Sequence, residues 1–164
     1  MIGKPMQDAM NEQINKELFS SYLYLSMAAY FEDKNLAGFA HWMRMQADEE
    51  REHAMKLYDF ILERGGRVML KGIDAPRTEW SSSLEIAEEV AAHEAKVTAS
   101  IYELYEIAMQ EKDYPAQVML QWFISEQVEE EKNAAELVAS LRLIEDRGTA
   151  VLMLDHRLAK RGGE

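Results

Sequence analysis

Gly66-Arg67-Val68-Met69-Leu70-Lys71-Gly72-Ile73-Asp74-Ala75-Pro76-Arg77-Thr78-Glu79-Trp80-Ser81 is the stretch that decides how this chain folds. It carries no helical or alternating period, and Gly72 and Pro76 punctuate it. Strong helical patterns flank it on both sides. A structureless connection this long is uncommon in a compact domain and needs a reason. The reason is reach. A helix of about 28 residues is roughly 42 Å long, and about sixteen extended residues span up to roughly 53 Å. The segment can therefore run back along a helical hairpin and start a second one at the far end.

Outward from it, residues 5–33 read as a first helix, with Pro5 tolerated in the first turn. Residues 37–64 read as a second, stopped by Gly65-Gly66. After the crossover, Ser81-Ser82-Ser83 supply cap oxygens, and Glu85 and Glu88 sit at the favourable end of the dipole of a third helix, which reaches about Lys112. A fourth begins close to Pro115 and fades around Asp146-Arg147-Gly148. Residues 150–158 fit a short fifth helix. Residues 34–36 and Asp113-Tyr114 are tight connections, so helices one and two form an antiparallel hairpin, as do three and four. The expected fold is all-α: one domain spanning residues 1–164, a four-helix bundle with one long crossover and a short C-terminal helix.

Composition agrees. A chain of 164 residues with 48% apolar and 29% charged side chains fits one soluble globular domain with a proper core. Eighteen basic against thirty acidic residues give a formal charge of −12, which disfavours nucleic acid and anionic membranes as partners and suits cations. Acidity also serves plain solubility. With no cysteine, disulfides, thiolate metal sites and a cysteine nucleophile are excluded. The first residues lack the apolar core of a signal peptide and no run reaches transmembrane length, so a cytoplasmic location is expected. The eleven methionines fall mostly at core spacing, as at Met10, Met43 and Met119.

Each long helix has an apolar seam interrupted near its middle by an acid. Helix one reads Met10, Ile14, Glu17, Ser21, Tyr24, Ala28, Phe31. Helix two reads Phe39, Met43, Gln46, Glu50, His53, Leu57, Phe60. Helix three reads Ala87, Val90, Glu94, Val97, Ile101, Leu104, Ala108. Helix four reads Leu120, Phe123, Gln127, Glu130, Ala134, Leu137, Leu141. In helix two, Glu50 and His53 stand three apart and share a face.

Counting from the tight turns sets their depth. Glu17 and Glu50 lie at nearly equal distances from the first turn, and Glu94 and Glu130 from the second. In antiparallel hairpins equal distance means equal height, so four carboxylates, His53 and Gln127 should meet at one level. An ionised carboxylate in a dry core costs several kcal/mol unless paired or metal-bound, and no Lys or Arg lies on the helix-two stripe. Two divalent cations would balance four charges, and carboxylate with imidazole suits iron, manganese or zinc. A lone inward Glu is more often a satisfied core group. Four at one depth beside a Glu-x-x-His argue for a metal site.

The residues resemble a known family over nearly the whole chain. The words that carry the likeness are Asn15-Lys16-Glu17, Ser21-Tyr22-Leu23-Tyr24-Leu25, His41-Trp42-Met43, Glu49-Glu50-Arg51-Glu52-His53-Ala54, Glu63-Arg64-Gly65-Gly66, Gln121-Trp122-Phe123 and Glu126 through Glu131. They are similar to those of the non-haem ferritins of bacteria and archaea. The resemblance implies a ferritin-like bundle, one iron held by Glu17, Glu50 and His53, and a second by Glu50 as bridge with Glu94 and Glu130, Gln127 close by. It implies a looser third site at Glu49, Glu126, Glu129 and Glu130; without it, Glu126 and Glu129 read as solvated surface acids. Tyr24 matches a tyrosine beside the irons that hydrogen-bonds a ligand or supplies an electron.

The resemblance further implies Fe²⁺ oxidation by O₂ or H₂O₂ and ferric mineral stored in a 24-chain cage. Two departures narrow the family. Helix four has Gln127-Val128-Glu129-Glu130 where bacterioferritins repeat Glu-x-x-His. Arg51 stands where they carry the haem-ligating methionine, so no haem is expected. Rubrerythrins usually add a cysteine-bound iron domain. Two rivals stay open: a di-iron or di-manganese oxidase or peroxidase without storage, and a helical scaffold whose buried acids are merely protonated. The resemblance gives Trp122 a like place to Tyr24, although an indole at a bundle seam is more often packing; His41, His93 and His156 read as packing or surface residues.

Overall fold

The computed structural model describes residues 1–145 and 147–162. It contains α1 (Lys4–Asp33), α2 (Ala37–Glu63), α3 (Ser83–Gln110), α4 (Tyr114–Ile144) and α5 (Gly148–Leu158). No strand occurs among the described residues. The expected elements are all present, with ends within a few residues of those read from the sequence. Asp146, placed at the fading end of the fourth helix, lies outside the described residues.

Three helices end in the same way. Asn35 (φ 57°), Gly65 (φ 69°) and Lys112 (φ 53°) take the left-handed conformation just past α1, α2 and α3. The next amide then bonds back into the last turn: Leu36 to Phe31, Gly66 to Ile61 and Asp113 to Ala108, at 2.8–2.9 Å. Each start is secured separately. Ser82 Oγ accepts from the Glu85 amide at 3.1 Å, and Glu85 reaches back to the Ser81 amide at 2.7 Å, a reciprocal cap on α3. Asp113 caps α4 through the Ala116 amide and also accepts from Arg64 at 2.9 Å, tying the end of α2 to the start of α4.

The crossover does run the length of the bundle, laid along α1. The Arg67 amide donates to Gln7 Oε1, Asn11 bonds the backbone of Arg67 and Met69, and Ser26 Oγ donates to the Arg77 carbonyl. Trp80 closes it off, buried edge-on against Tyr30 with its indole N–H donated to Glu89 at 2.7 Å. The loop backbone, which has no ladder of its own, is thus partly satisfied by α1 side chains.

The core is split in two. One apolar cluster, with Phe31, Phe39, Ile86 and Leu137, fills the end nearest the α1–α2 turn. The other, with Met10, Ile61, Leu104 and Leu120, fills the opposite end. A buried polar layer containing Glu17, Gln46, Glu50, His53, Glu94, Gln127 and Glu130 is shared by neither cluster. The seam residues of this layer are buried, and the expected seams depart from the buried face at two positions. The structure buries Ser20 and Ile61, whereas Ser21 and Phe60 are half-buried. Such slippage follows because 3.6 residues per turn does not divide a seven-residue repeat. Ser21 turns instead to the helix neighbour, donating to the Ala47 carbonyl at 2.6 Å.

α5 packs against α2 and α4. Asp155 accepts from the Phe39 amide at 2.9 Å, supplying a first-turn acceptor that α2 lacks locally. Close approach requires Gly38, because a Cβ there would overlap the Asp155 main chain. Gly38→Ala should therefore push α5 off α2, costing about 1–3 kcal/mol and lowering the melting temperature by roughly 2–10 °C. Calorimetry with hydrogen exchange over residues 148–158 checks this; unchanged protection there would mean that α5 is seated by other contacts.

Candidate metal centre

α1 and α2 supply the densest part of the site. Ligand atoms of Glu17, Glu50 and His53 lie within 4.8 Å of one another, the only such group of three His, Asp or Glu side chains among the described residues. All three are buried, Glu50 completely. Their spacing follows from helix geometry: Glu50 and His53 are one turn apart on α2, and Glu17 faces them across the hairpin. Gln13, one turn before Glu17, donates to its Oε1 at 2.7 Å. His53 Nδ1 stands 3.5 Å from Glu50 Oε2, too far for a strong hydrogen bond. The imidazole is held edge-on by Trp122 and Phe123, with centroids 5.5 and 5.9 Å away.

α3 and α4 bring the other two acids to the same layer by different supports. Glu94 accepts from the Tyr24 hydroxyl, and from Gln127 Nε2 at 3.3 Å. Gln127 also donates to Thr98 Oγ1 at 3.1 Å. Glu130 accepts from Gln46 Nε2 at 2.9 Å, a bond that joins α2 to α4 across the bundle. Gln13, Gln46 and Thr98 were given no role from the sequence. Gln46 had a usable signal, a polar residue on an apolar seam. Gln13 had only its i, i+4 relation to Glu17.

Burial dominates the protonation of this layer. It raises Glu17 well above the ordinary carboxyl range, and the neighbouring charge of Glu50 adds to that. Glu50 is raised by burial and then by Glu94 and Glu130. Glu94 is raised by burial, although bonds from Tyr24 and Gln127 oppose it. Burial pushes Glu130 up to about 7, against the pull of its Gln46 bond. The Tyr24 phenol is also raised, by burial and then by Glu94. Four carboxyls in one dry layer need protons or cations.

The donor set fits a hard or borderline divalent metal. Among the described residues no amide, hydroxyl or basic donor bonds Glu17 Oε2 or either Glu50 oxygen, all of them buried, an arrangement costly in itself and suited to coordination. Oxygen plus one imidazole is a set that iron accepts.

The outer acids stand apart from the buried centre. Glu49 is partly exposed and paired with Arg161 at 2.7 Å; Glu126 is half-buried and Glu129 exposed. They are not gathered into a tight group. Trp122 is partly exposed, with Lys56 Nζ 4.1 Å from its ring centre. His93 is packed behind the site, bonded to Ser20 at 2.7 Å and edge-on to Tyr24, and burial lowers its pKa. His41 bonds the Arg161 carbonyl, and His156 is exposed on α5. No helix is long and apolar enough to cross a membrane among the described residues.

A family model described as "Ferritin-like domain" matches residues 7–144. The chain is 42% identical over 161 residues to the bacterial non-heme ferritin of Bacteroides fragilis strain 638R, covering 98% of this chain and 100% of that protein. It is 40% identical to the corresponding ferritin of Staphylococcus haemolyticus, over 98% and 97% of the two chains. Among solved structures, the open-pore ferritin of the archaeon Archaeoglobus fulgidus superposes with a TM-score of 0.97 at 51% identity, covering 98% and 99%. With a ferritin-like domain matched over most of its length and bacterial non-heme ferritins similar to it along nearly all of it, this chain belongs to the family of non-haem ferritins.

Proposed function

We propose that this chain is an iron-storage ferritin with ferroxidase activity, a reading carried by one observation: Glu17, Glu50 and His53 converge in a dry layer with orphaned carboxylate oxygens. Glu17, Glu50 and His53 hold one Fe²⁺; Glu50, Glu94 and Glu130 hold a second beside Gln127. Two Fe²⁺ give up one electron each, and O₂ takes both with two protons to become H₂O₂, which can itself serve as oxidant. The protein's part is positional. Gln13 holds Glu17 beside Glu50 and His53, so the first position is preorganised, whereas Glu94 and Glu130 have to turn from Tyr24, Gln127 and Gln46 to complete the second. Carboxyls that hold protons in the metal-free layer release them as Fe²⁺ binds, so binding should tighten as pH rises towards 7. Ferric iron then passes by way of Glu49, Glu126, Glu129 and Glu130 to a mineral inside the cage.

The cage reading rests on the relatives and on the surface. Tyr22 and Leu25 on α1, with Met69, Leu70 and Ile73 of the crossover, are exposed apolar side chains that suit an isologous contact between copies. Arg51, in place of a haem-ligating methionine, supports a haem-free subunit, and a cytoplasmic setting fits the acidic chain. Light scattering with metal analysis tests the whole reading: 24 chains of 18.9 kDa make a shell of about 450 kDa, filled by many irons per subunit. A dimer holding two metals per chain would point to a non-storage oxidase, and a particle without metal to a scaffold.

A further inference from the structure

Beyond α5 the chain folds back onto α2. The Arg161 carbonyl accepts from His41 Nε2 at 2.8 Å, and its guanidinium lies 4.7 Å from the Trp42 ring centre. Gly162 follows with φ +75°, and a Cβ there would come within 2.9 Å of Met45 Cε. His41, Trp42, Met45 and Glu49 follow one another along a single face of α2, and the tail covers that face. At its end Arg161 Nη2 donates to Glu49 Oε2 at 2.7 Å. Among the described residues Nη1 of the same guanidinium is buried without a partner, and the group is held by its cationic contact with Glu49 and by stacking on Trp42.

This pair is unique among the acids of the proposed iron sites. Among the described residues, neither Glu17, Glu50, Glu94, Glu126, Glu129 nor Glu130 has a Lys or Arg partner. Glu49 is also in electrostatic reach of the buried layer, since its charge acts on both Glu50 and Glu130. Arg161 already holds Oε2 of Glu49, so a metal ion at the outer glutamates competes with it for that carboxylate. It also meets a fixed positive charge beside that oxygen.

We propose that Arg161 is a resident counter-cation at Glu49: a metal reaching the outer glutamates must displace it, so filling that site releases the C-terminal tail from α2. The inference rests on the assignment of Glu49 to a third site. It makes that site weak by construction, which suits a way-station that passes iron on rather than keeping it. Because the pair is partly exposed, the effect is modest, with removal of the guanidinium tightening the third site about fivefold.

The test uses Zn²⁺, which cannot be oxidised, titrated calorimetrically into the metal-free assembled protein, with hydrogen exchange followed over residues 159–162. Wild type should show two tight steps and a weaker third, and exchange in the tail should rise only during the third. Arg161→Met keeps the packing on Trp42 and removes the charge; it should tighten the third step about fivefold and leave the first two unchanged. Arg161→Lys should stay near wild type. A third step that Glu49→Gln abolishes but Arg161→Met does not alter overturns the proposal and leaves the third site standing. A third step absent throughout, or indifferent to Glu49→Gln, removes the third-site assignment and the proposal together. Should Arg161→Met fail to assemble, exchange in the wild-type tail decides alone, and constant protection through the third step overturns the proposal.

Discussion

Glu50→Ala is expected to eliminate tight binding at both iron positions and to slow Fe²⁺ oxidation about 100-fold or more. Glu50 is completely buried, stands with Glu17 and His53, and feels the charges of Glu94 and Glu130. It interacts with acids of both hairpins, and among the described residues neither of its oxygens has an amide, hydroxyl or basic hydrogen-bond donor. On the proposed assignment, loss of Glu17 or Glu94 removes one ligand from one position, whereas loss of Glu50 removes a ligand from both. The fold should survive, since alanine favours helix and the apolar clusters lie to either side of the layer. Anaerobic Fe²⁺ titration should therefore lose two tight steps per chain while the particle keeps its size. If Glu50→Ala retains both steps and fast oxidation, the bridging assignment is wrong.

Stability without metal should move the other way. The variant Glu17→Gln, Glu94→Gln, Glu130→Gln is expected to melt about 5–10 °C above metal-free wild type near pH 7.5, with oxidation abolished. The sign follows from linkage. Burial raises these carboxyls above their ordinary values, Glu130 to about 7, so above about pH 4.5 the folded state binds more protons than the unfolded one, for Glu130 up to about pH 7. Their contribution is fully present below the unfolded value and is lost as pH rises through the folded one. For Glu130 alone that window amounts to on the order of 3 kcal/mol. The difference between variant and wild type should thus shrink towards zero near pH 4.5, and metal should restore wild type by binding only the folded state. A variant less stable than wild type at pH 7.5 would show that the acids have structural partners, and the scaffold reading would regain ground. The expected gain is a case of function held at the expense of stability.

Much of this was legible before folding. Periodicity and caps determine four long helices, and the aperiodic segment between the second and third is long enough to return along the bundle, as Trp80 and Asn11 now show by pinning it along α1. Counting residues from the two tight turns puts Glu17, Glu50, Glu94 and Glu130 at one depth, because an antiparallel hairpin converts sequence distance into height. Those are local rules, and they act within one helix or one turn. Contacts between helices depend on azimuth and rotamer, which no period encodes. Tertiary structure therefore decided that Tyr24 bonds Glu94, that Gln46 reaches Glu130 and Gln13 holds Glu17, and that Glu17 and His53 gather tightly round Glu50 while Glu94 and Glu130 stand off on their own supports. It also decided that Arg161, more than a hundred residues along the chain, lies on Glu49: only the packing of α5 on α2, made possible at Gly38, carries the tail there.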